Sequence, residues 1–221
     1  METAQILAFN GSPRHAGNST LLLERFLEGA SGNGLKSEVV SPHHLNIKPC
    51  AGCLRCNILK RCSLREDDWS EMSEKILAAE VLVFAAPIYF HHLPAPLKMM
   101  IDRFRSFIHV KITESGLAHT PWHEWGKKFI LILTMGSSDE SDAQPVLDLF
   151  NLMTSILGPE NRLHVVKATR LAMAGQVTRS AEDLRILYDK MKLPARLAET
   201  DYLRNQQLLK ECEELGRSLT K

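Results

Sequence analysis

Between Val81 and Ala86 the chain reads Val-Leu-Val-Phe-Ala-Ala, with no polar side chain in the run. A strand of that composition has to be buried on both faces, and a sheet with helices packed on each side provides such burial. Phe129-Ile130-Leu131-Ile132-Leu133 repeats the pattern. Around these two strands, short apolar runs alternate with helical stripes. Gln5 to Phe9 reads as the first strand, Ser37 to Val40 as a short second and Leu163 to Lys167 as the fifth. Leu22, Leu23, Phe26, Leu27 and Ala30 recur at helical spacing and stop at Gly32-Asn33-Gly34. Asp68 stands where it can cap a helix whose apolar face is Trp69, Met72, Ile76 and Ala79. Further helices are expected from Pro94 to Ile108 and from Pro145 to Leu157.

This alternation predicts an α/β fold in three layers: a five-stranded parallel sheet of flavodoxin-like order 2-1-3-4-5, with helices on both faces. The 221 residues suffice for one domain spanning 1–221. It would carry a cysteine-rich loop at 49–66 and a helical C-terminal extension from about 178 to 221, broken at Leu193-Pro194. Ligands in such sheets sit beyond the carboxyl ends of the strands. Residues 10–20, 87–93 and 135–144 leave those ends. Lys and Arg number 27 against 26 Asp and Glu, and no basic run occurs, so no nucleic-acid footprint is expected. No apolar stretch reaches membrane-spanning length. Met1 to Gln5 lacks the basic and apolar regions of a signal peptide, so a cytoplasmic location is the expectation.

The first strand runs into Gly11-Ser12-Pro13-Arg14, then Gly17-Asn18-Ser19-Thr20 and a helix. A helix N-terminus carries unpaired N–H donors and the positive end of the helix dipole, and so attracts phosphate. Ser12, Asn18, Ser19 and Thr20 add short donors, and Arg14 adds a planar cation. Asn18 stands where a Walker loop has lysine, so the loop is of another type.

These residues resemble the first loop of the NAD(P)H-dependent FMN reductases. Ala86-Pro87-Ile88-Tyr89-Phe90 resembles their second loop, and Leu97-Lys98 with Ile101-Asp102-Arg103 the helix after it. The likeness covers roughly residues 5–137. It implies one FMN per protomer, with the phosphate on Ser12, Arg14, Asn18, Ser19 and Thr20. Pro87, Ile88, Tyr89 and Phe90 would run along the ribityl chain and ring, and their N–H groups would meet the pyrimidine edge. Thr134, Met135, Gly136 and Ser137 would form the third loop, where Gly136 permits close backbone approach. It further implies NAD(P)H as co-substrate and a homodimer or homotetramer, with the flavin site completed across a subunit interface. Asp102 and Arg103 read as members of an intrahelical or helix-to-loop ion pair that fixes architecture.

Cys50, Cys53, Cys56 and Cys62 form C-x2-C-x2-C-x5-C. Four thiolates this close can wrap one [4Fe–4S] cluster from a single loop. The spacing resembles the iron–sulfur flavoproteins, a branch of the same family in which the cluster hands electrons to FMN. Unligated thiols, structural zinc and a disulfide are the alternatives. Ser63 to Glu66 runs a residue longer than the family's usual segment, which would shift the edge of a cluster relative to the flavin. Cys212, in a helical tail, reads as a packing residue.

His91 and His92 fall just past the second loop, as pocket lining or a subunit contact. His119 and His123 stand at i, i+4, but Pro121 interrupts them and no zincin pattern is present. Residues 109–128 are longer than a simple turn. With Trp122 and Trp125 they would form a lid, a dimer contact or a loop tucked onto its own domain. No nucleophile elbow occurs, and no acid–base residue is assigned: in such a protein the flavin carries the chemistry. Three functions remain open. One is an NAD(P)H-dependent FMN reductase, with a small molecule or a redox protein as electron partner. The second is an iron–sulfur flavoprotein carrier accepting electrons from ferredoxin, without a nicotinamide site. The third is a cluster-free redox-sensing module.

Overall fold

The computed structural model describes residues 5–219, so the reading of Met1 to Ala4 as free of a leader lies outside the described residues. The central sheet contains β1 (Ile6–Asn10), β2 (Ser37–Val40), β3 (Val81–Pro87), β6 (Lys128–Thr134) and β7 (Arg162–Ala168), all parallel. Its order is β2-β1-β3-β6-β7. That differs from the expected numbering because two more strands intervene. β4 (Ile108–Thr113) and β5 (Gly116–Pro121) pair antiparallel in a separate two-stranded ribbon, where a long loop was expected. Counted without the ribbon, the sheet strands follow the anticipated order.

Helices α1 (Asn18–Ser31), α3 (Trp69–Ala78), α4 (Ala95–Arg103) and α5 (Gln144–Leu157) connect the strands, and α2 (Cys56–Leu59) is one turn inside the cysteine loop. The helix expected over Pro94 to Ile108 ends at Arg103 and continues as a 3-10 turn through Phe107. Asp68 precedes α3 without capping it: its carboxylate accepts from the Asn46 N–H, while Asp67 accepts from the Trp69 N–H. The tail forms α6 (Ala181–Lys190) and α7 (Leu197–Arg217).

Strand residues of alternate parity feed two cores, as the period of two requires. Leu7, Phe9, Leu82, Phe84, Phe129 and Leu131 pack on α3, α4 and α5. Ile6, Ala8, Val83, Ile130 and Ile132 pack on α1 and α7. Trp125 joins the first core at 4% exposure, so that tryptophan is tucked onto its own domain. Cys212 is buried in the second core, where desolvation pushes its thiol up to about 12. It is a packing residue, as its setting in the tail suggested.

Helices α1 and α7 touch through facing glycines. A Cβ on Gly29 would stand 2.0 Å from the Glu213 carbonyl oxygen, and one on Gly216 would stand 2.0 Å from that of Phe26. Backbone cannot yield as a flexible side chain does. Gly216→Ala should therefore cost about 1–3 kcal/mol of stability through overpacking, read as a lower urea midpoint at unchanged slope.

Candidate functional site

Three strand-end loops meet in one cleft with about 410 Å³ of empty space. The first loop contributes Ser12, Arg14, Gly17, Asn18 and Ser19; the second, Pro87, Ile88 and Tyr89; the third, Thr134 and Gly136. Leu171 and Ala172, from the segment after β7, complete the lining. Loops 10–20 and 87–93 follow β1 and β3, and loop 135–144 follows β6, so the cleft lies at the carboxyl edge of the sheet's centre. A roomier hollow of about 1200 Å³ lies at the opposite strand ends, around Gln5, Glu80 and Lys127. There the Lys127 ammonium is already engaged by the carbonyls of Leu77 and Ala79, which close α3. The topology favours the carboxyl-edge cleft as the ligand site.

The first loop is built to leave donors free. Ser12 Oγ accepts from the Arg14 N–H at 3.1 Å and donates to the Arg14 carbonyl at 3.2 Å, closing a tight turn. Thr20 Oγ1 donates to Asn10 Oδ1 at 3.2 Å and ties the helix start back to β1. Gly17 precedes α1 with no side-chain cap. The first helical N–H groups thus point into the cleft without an intrahelical acceptor. Ser19 Oγ is buried and has no hydrogen-bond partner among the described residues. A buried hydroxyl without a partner costs free energy unless a ligand engages it. That orphan, at the positive end of α1, fits a phosphate.

Ser12 and Thr20 thus serve the turn itself, and Asn18 and Arg14, also singled out from sequence, reach across to the segment after β7. Asn18 donates to the carbonyls of Leu171 and Met173 at 3.1 and 2.8 Å and accepts from the Val177 N–H at 3.0 Å. Its amide ties α1 to the segment after β7. Arg14 Nη1 donates to the Ala172 carbonyl at 3.1 Å, which leaves its other donors at the cleft mouth.

The second loop makes a two-residue hairpin. Tyr89 and His92 exchange backbone hydrogen bonds at 2.8 and 3.0 Å, with Phe90 and His91 at its tip in the left-handed region, φ 51° and 61°. Neither residue is glycine, so the tip carries backbone strain. The N–H groups of Ile88 and Tyr89 are engaged by Thr134 and His92, so among the three cleft-lining residues of this loop none offers a free N–H. Tyr89 is 43% exposed, and Phe90 stands fully in solvent, outside the cleft lining. His91 faces Asp142 at 3.5 Å. His92 Nδ1 accepts from the Leu93 N–H, and burial, helped by Lys98, holds the ring's pKa below its ordinary value. In the third loop, Met135 is buried between the backbones of Ala168 and Leu171, and the Ser137 carbonyl accepts from Arg170. His119 and His123 line different hollows and do not meet.

Cys50, Cys53, Cys56 and Cys62 line one small cavity, about 380 Å³ of empty space, together with Arg103 and Arg105. Arg105 Nη1 lies 3.5 Å from Cys56 Sγ. Burial pushes the Cys56 thiol up, against the pull of that guanidinium. A hydrogen bond from Ser63, with Arg55 nearby, lowers Cys53. None of the four is in a disulfide. No group of three or more metal-ligating side chains is drawn to metal distance among the described residues. Arg103 and Asp67 are fully buried and paired at 2.6 Å. Arg103 also donates to the carbonyls of Lys48 and Leu64, holding both ends of the cysteine loop. Both forms of the expected ion pair occur: Arg103 reaches from α4 to Asp67 in the loop before α3, and Asp102 pairs within α4 with Lys98 at 2.6 Å.

The pattern of one protein family, described as NADPH-dependent FMN reductase, matches residues 4–176. An iron-sulfur flavoprotein of Methanocaldococcus jannaschii is 34% identical over 101 residues, 46% of this chain and 52% of that protein. An iron-sulfur flavoprotein of Methanosarcina thermophila is 33% identical over 99 residues, 45% of this chain and 51% of that protein. The chain thus spans about half the length of the curated relatives it matches. Among solved structures, an FMN-dependent NADH-azoreductase from Bacillus anthracis in complex with FMN superimposes with TM-score 0.64 at 17% identity, over all of both chains. At that identity the likeness concerns the fold. No helix among the described residues is long and apolar enough to cross a membrane.

Proposed function

Because the chain belongs to the NADPH-dependent FMN reductase family, we propose that it is an FMN-dependent oxidoreductase that passes electrons from NAD(P)H or a reduced carrier to an acceptor. The observation that carries this reading is the orphaned Ser19 hydroxyl at the uncapped start of α1, inside a cleft walled by three strand-end loops. When bound there, FMN supplies the redox chemistry. The chain's own residues bind and orient it. Ser19 Oγ and the first N–H groups of α1 hold the phosphate, with Arg14 at the rim. Pro87, Ile88 and Tyr89 form the wall along the ribityl chain and ring. Phe90 and His91, at the strained tip, offer N–H groups and an exposed aromatic face to the ring's outer edge. Thr134 and Gly136 close the far side. No side chain is assigned a proton-transfer step. The acceptor is a small molecule or a redox protein, the protein is a homodimer or homotetramer, and it works in the cytoplasm.

A second reading is favoured by one observation: four thiols and two guanidiniums share the cavity at Cys56. Thiolates are the ligand type of a [4Fe–4S] cluster; Cys50, Cys53, Cys56 and Cys62 would hold it once their sulfurs draw to metal distance, and it would supply one-electron transfer beside the flavin. Anaerobic purification with iron and sulfide assays tests it. About four irons per chain are expected; substoichiometric iron would leave the thiols unligated. The two readings also part on their donor. Anaerobic mixing of the FMN-loaded chain with NADPH is expected to bleach the flavin band. Bleaching only with reduced ferredoxin would contradict the reductase reading and favour the carrier.

A further inference from the structure

Leu171 and Ala172 form a wall of the cleft that none of the three strand-end loops supplies. They lie in a segment, 169–177, that is held from several sides. The Arg170 and Leu171 N–H groups donate to the carbonyls of Ser137 and Met135, at 2.8 and 2.9 Å, fastening it to the third loop. Asn18 grips it through Leu171, Met173 and Val177, and the Gly175 N–H donates to the Ala16 carbonyl at 2.8 Å. Arg14, in turn, leans on it through the Ala172 carbonyl.

The remaining hold comes from the C-terminal helices, beyond the family-matched residues. Asp201 of α7 has no solvent exposure. Arg170 Nε donates to both of its oxygens, at 3.0 and 2.9 Å, and Arg170 Nη2 donates as well. Tyr188 Oη of α6 donates to it at 2.6 Å, and Arg204 lies 3.2 Å away. Gln176 donates to the Arg170 carbonyl at 2.7 Å. Arg170 itself sits at φ 53°, in the left-handed region that a branched-off side chain disfavours. Such a conformation persists only where its surroundings over-determine it. The pairing with Asp201 is one such constraint.

We propose that Asp201 is a positioning residue for the flavin site: through Arg170 it fixes residues 170–173 as a fourth wall, and so holds Arg14 at the phosphate. The proposal rests on the reading of the cleft as an FMN site. Removing the charge of Asp201 leaves two half-buried guanidiniums, those of Arg170 and Arg204, close together without the buried carboxylate that both face. Arg170 is then free to leave its strained backbone, the Ala172 carbonyl moves with it, and Arg14 loses its anchor. The loss falls on the phosphate and not on the ring, whose wall is Pro87, Ile88 and Tyr89. The quantity that reports it is the preference for FMN over riboflavin, which differ only by that phosphate.

The test is fluorescence titration of the full chain with FMN and with riboflavin. The wild-type protein is expected to prefer FMN by about 100-fold or more. Asp201→Asn should cut that ratio roughly tenfold, the worth of about one charge-assisted hydrogen bond, with riboflavin affinity unchanged. Arg14→Ala should cut it by as much, and the double variant no further than Arg14→Ala alone, because both act through one contact chain. A purely structural role would lower both flavin affinities together, or add to the Arg14→Ala effect; either result overturns the proposal. If Asp201→Asn does not fold, Arg170→Lys tests the same link from its other end, with the same reduced ratio expected and an unchanged ratio contradicting it. A wild-type chain that binds both flavins equally refutes the phosphate reading itself. A wild-type preference that survives in Asp201→Asn refutes only the fourth wall.

Discussion

Replacing Gly17 with alanine is expected to weaken FMN binding by about 100-fold or more while leaving the fold intact. Gly17 has φ −66°, so its backbone accepts any residue. The obstacle is space: an added Cβ would stand 2.3 Å from Ser12 Oγ and 3.1 Å from the Arg14 carbonyl oxygen. Those two atoms hold the turn that presents the start of α1 to the cleft. Pushing them apart rotates the first helical N–H groups and Ser19 away from a common focus, and a phosphate loses two or more charge-assisted hydrogen bonds at once. Flavin fluorescence titration reads the loss, and a thermal melt reads the fold. An affinity within about threefold of wild type, beyond the scatter of a single weak contact, would show that this turn does not hold the ligand.

The second large effect concerns the cysteine loop. Arg103→Leu is expected to cost about 3–5 kcal/mol in urea unfolding, because it leaves the Asp67 carboxylate buried without its partner. Both side chains are at 0% exposure, so solvent offers no relief. The double variant Arg103→Leu with Asp67→Leu should recover much of the loss, as removal of a whole buried pair does. Burial pushes the Asp67 carboxyl up, but the Arg103 guanidinium and the N–H groups of Lys48 and Trp69 outweigh it and hold its pKa below the ordinary carboxylate value. The pair's contribution is therefore complete above that ordinary value and is lost as pH falls through the lower, folded-state value. The acid limb of the stability curve should be steeper in wild type than in the double variant. Arg103 also fastens Lys48 and Leu64, so under the proposed cluster reading Arg103→Leu should lower iron retention in anaerobic preparations as well.

The central sheet was legible because its strands are extreme. Val81 to Ala86 and Phe129 to Leu133 carry no polar side chain, and that composition admits few settings besides a two-sided core. The ribbon at 108–121 was missed because most of its residues are exposed and it reads as polar. Its signal was present: Val110 and Ile112 alternate with His109, Lys111 and Thr113 before the turn at Glu114 and Ser115. Of the cleft, the three loops could be read because strand, glycine and short polar residues occur together locally. The fourth wall could not. Asn18 looks like a phosphate donor by type, and its contacts with Leu171, Met173 and Val177 join residues more than 150 positions apart. Asp201 looks like any acid on a charged helix, and only the folded chain buries it against Arg170 and Tyr188. The spacing of the cysteines marked them as one group within a single loop; the four line one cavity, and the approach of their sulfurs to metal distance is not among the contacts of the described residues.

The position of the flavin phosphate is the central claim, and a crystal structure of the full chain grown with FMN decides it directly. The expected result is one FMN per chain with its phosphate at the start of α1, Ser19 Oγ and the first helical N–H groups donating to it and Arg14 at its rim. A phosphate placed elsewhere, such as the hollow around Lys127, or a flavin that leaves Ser19 without a partner, would contradict it.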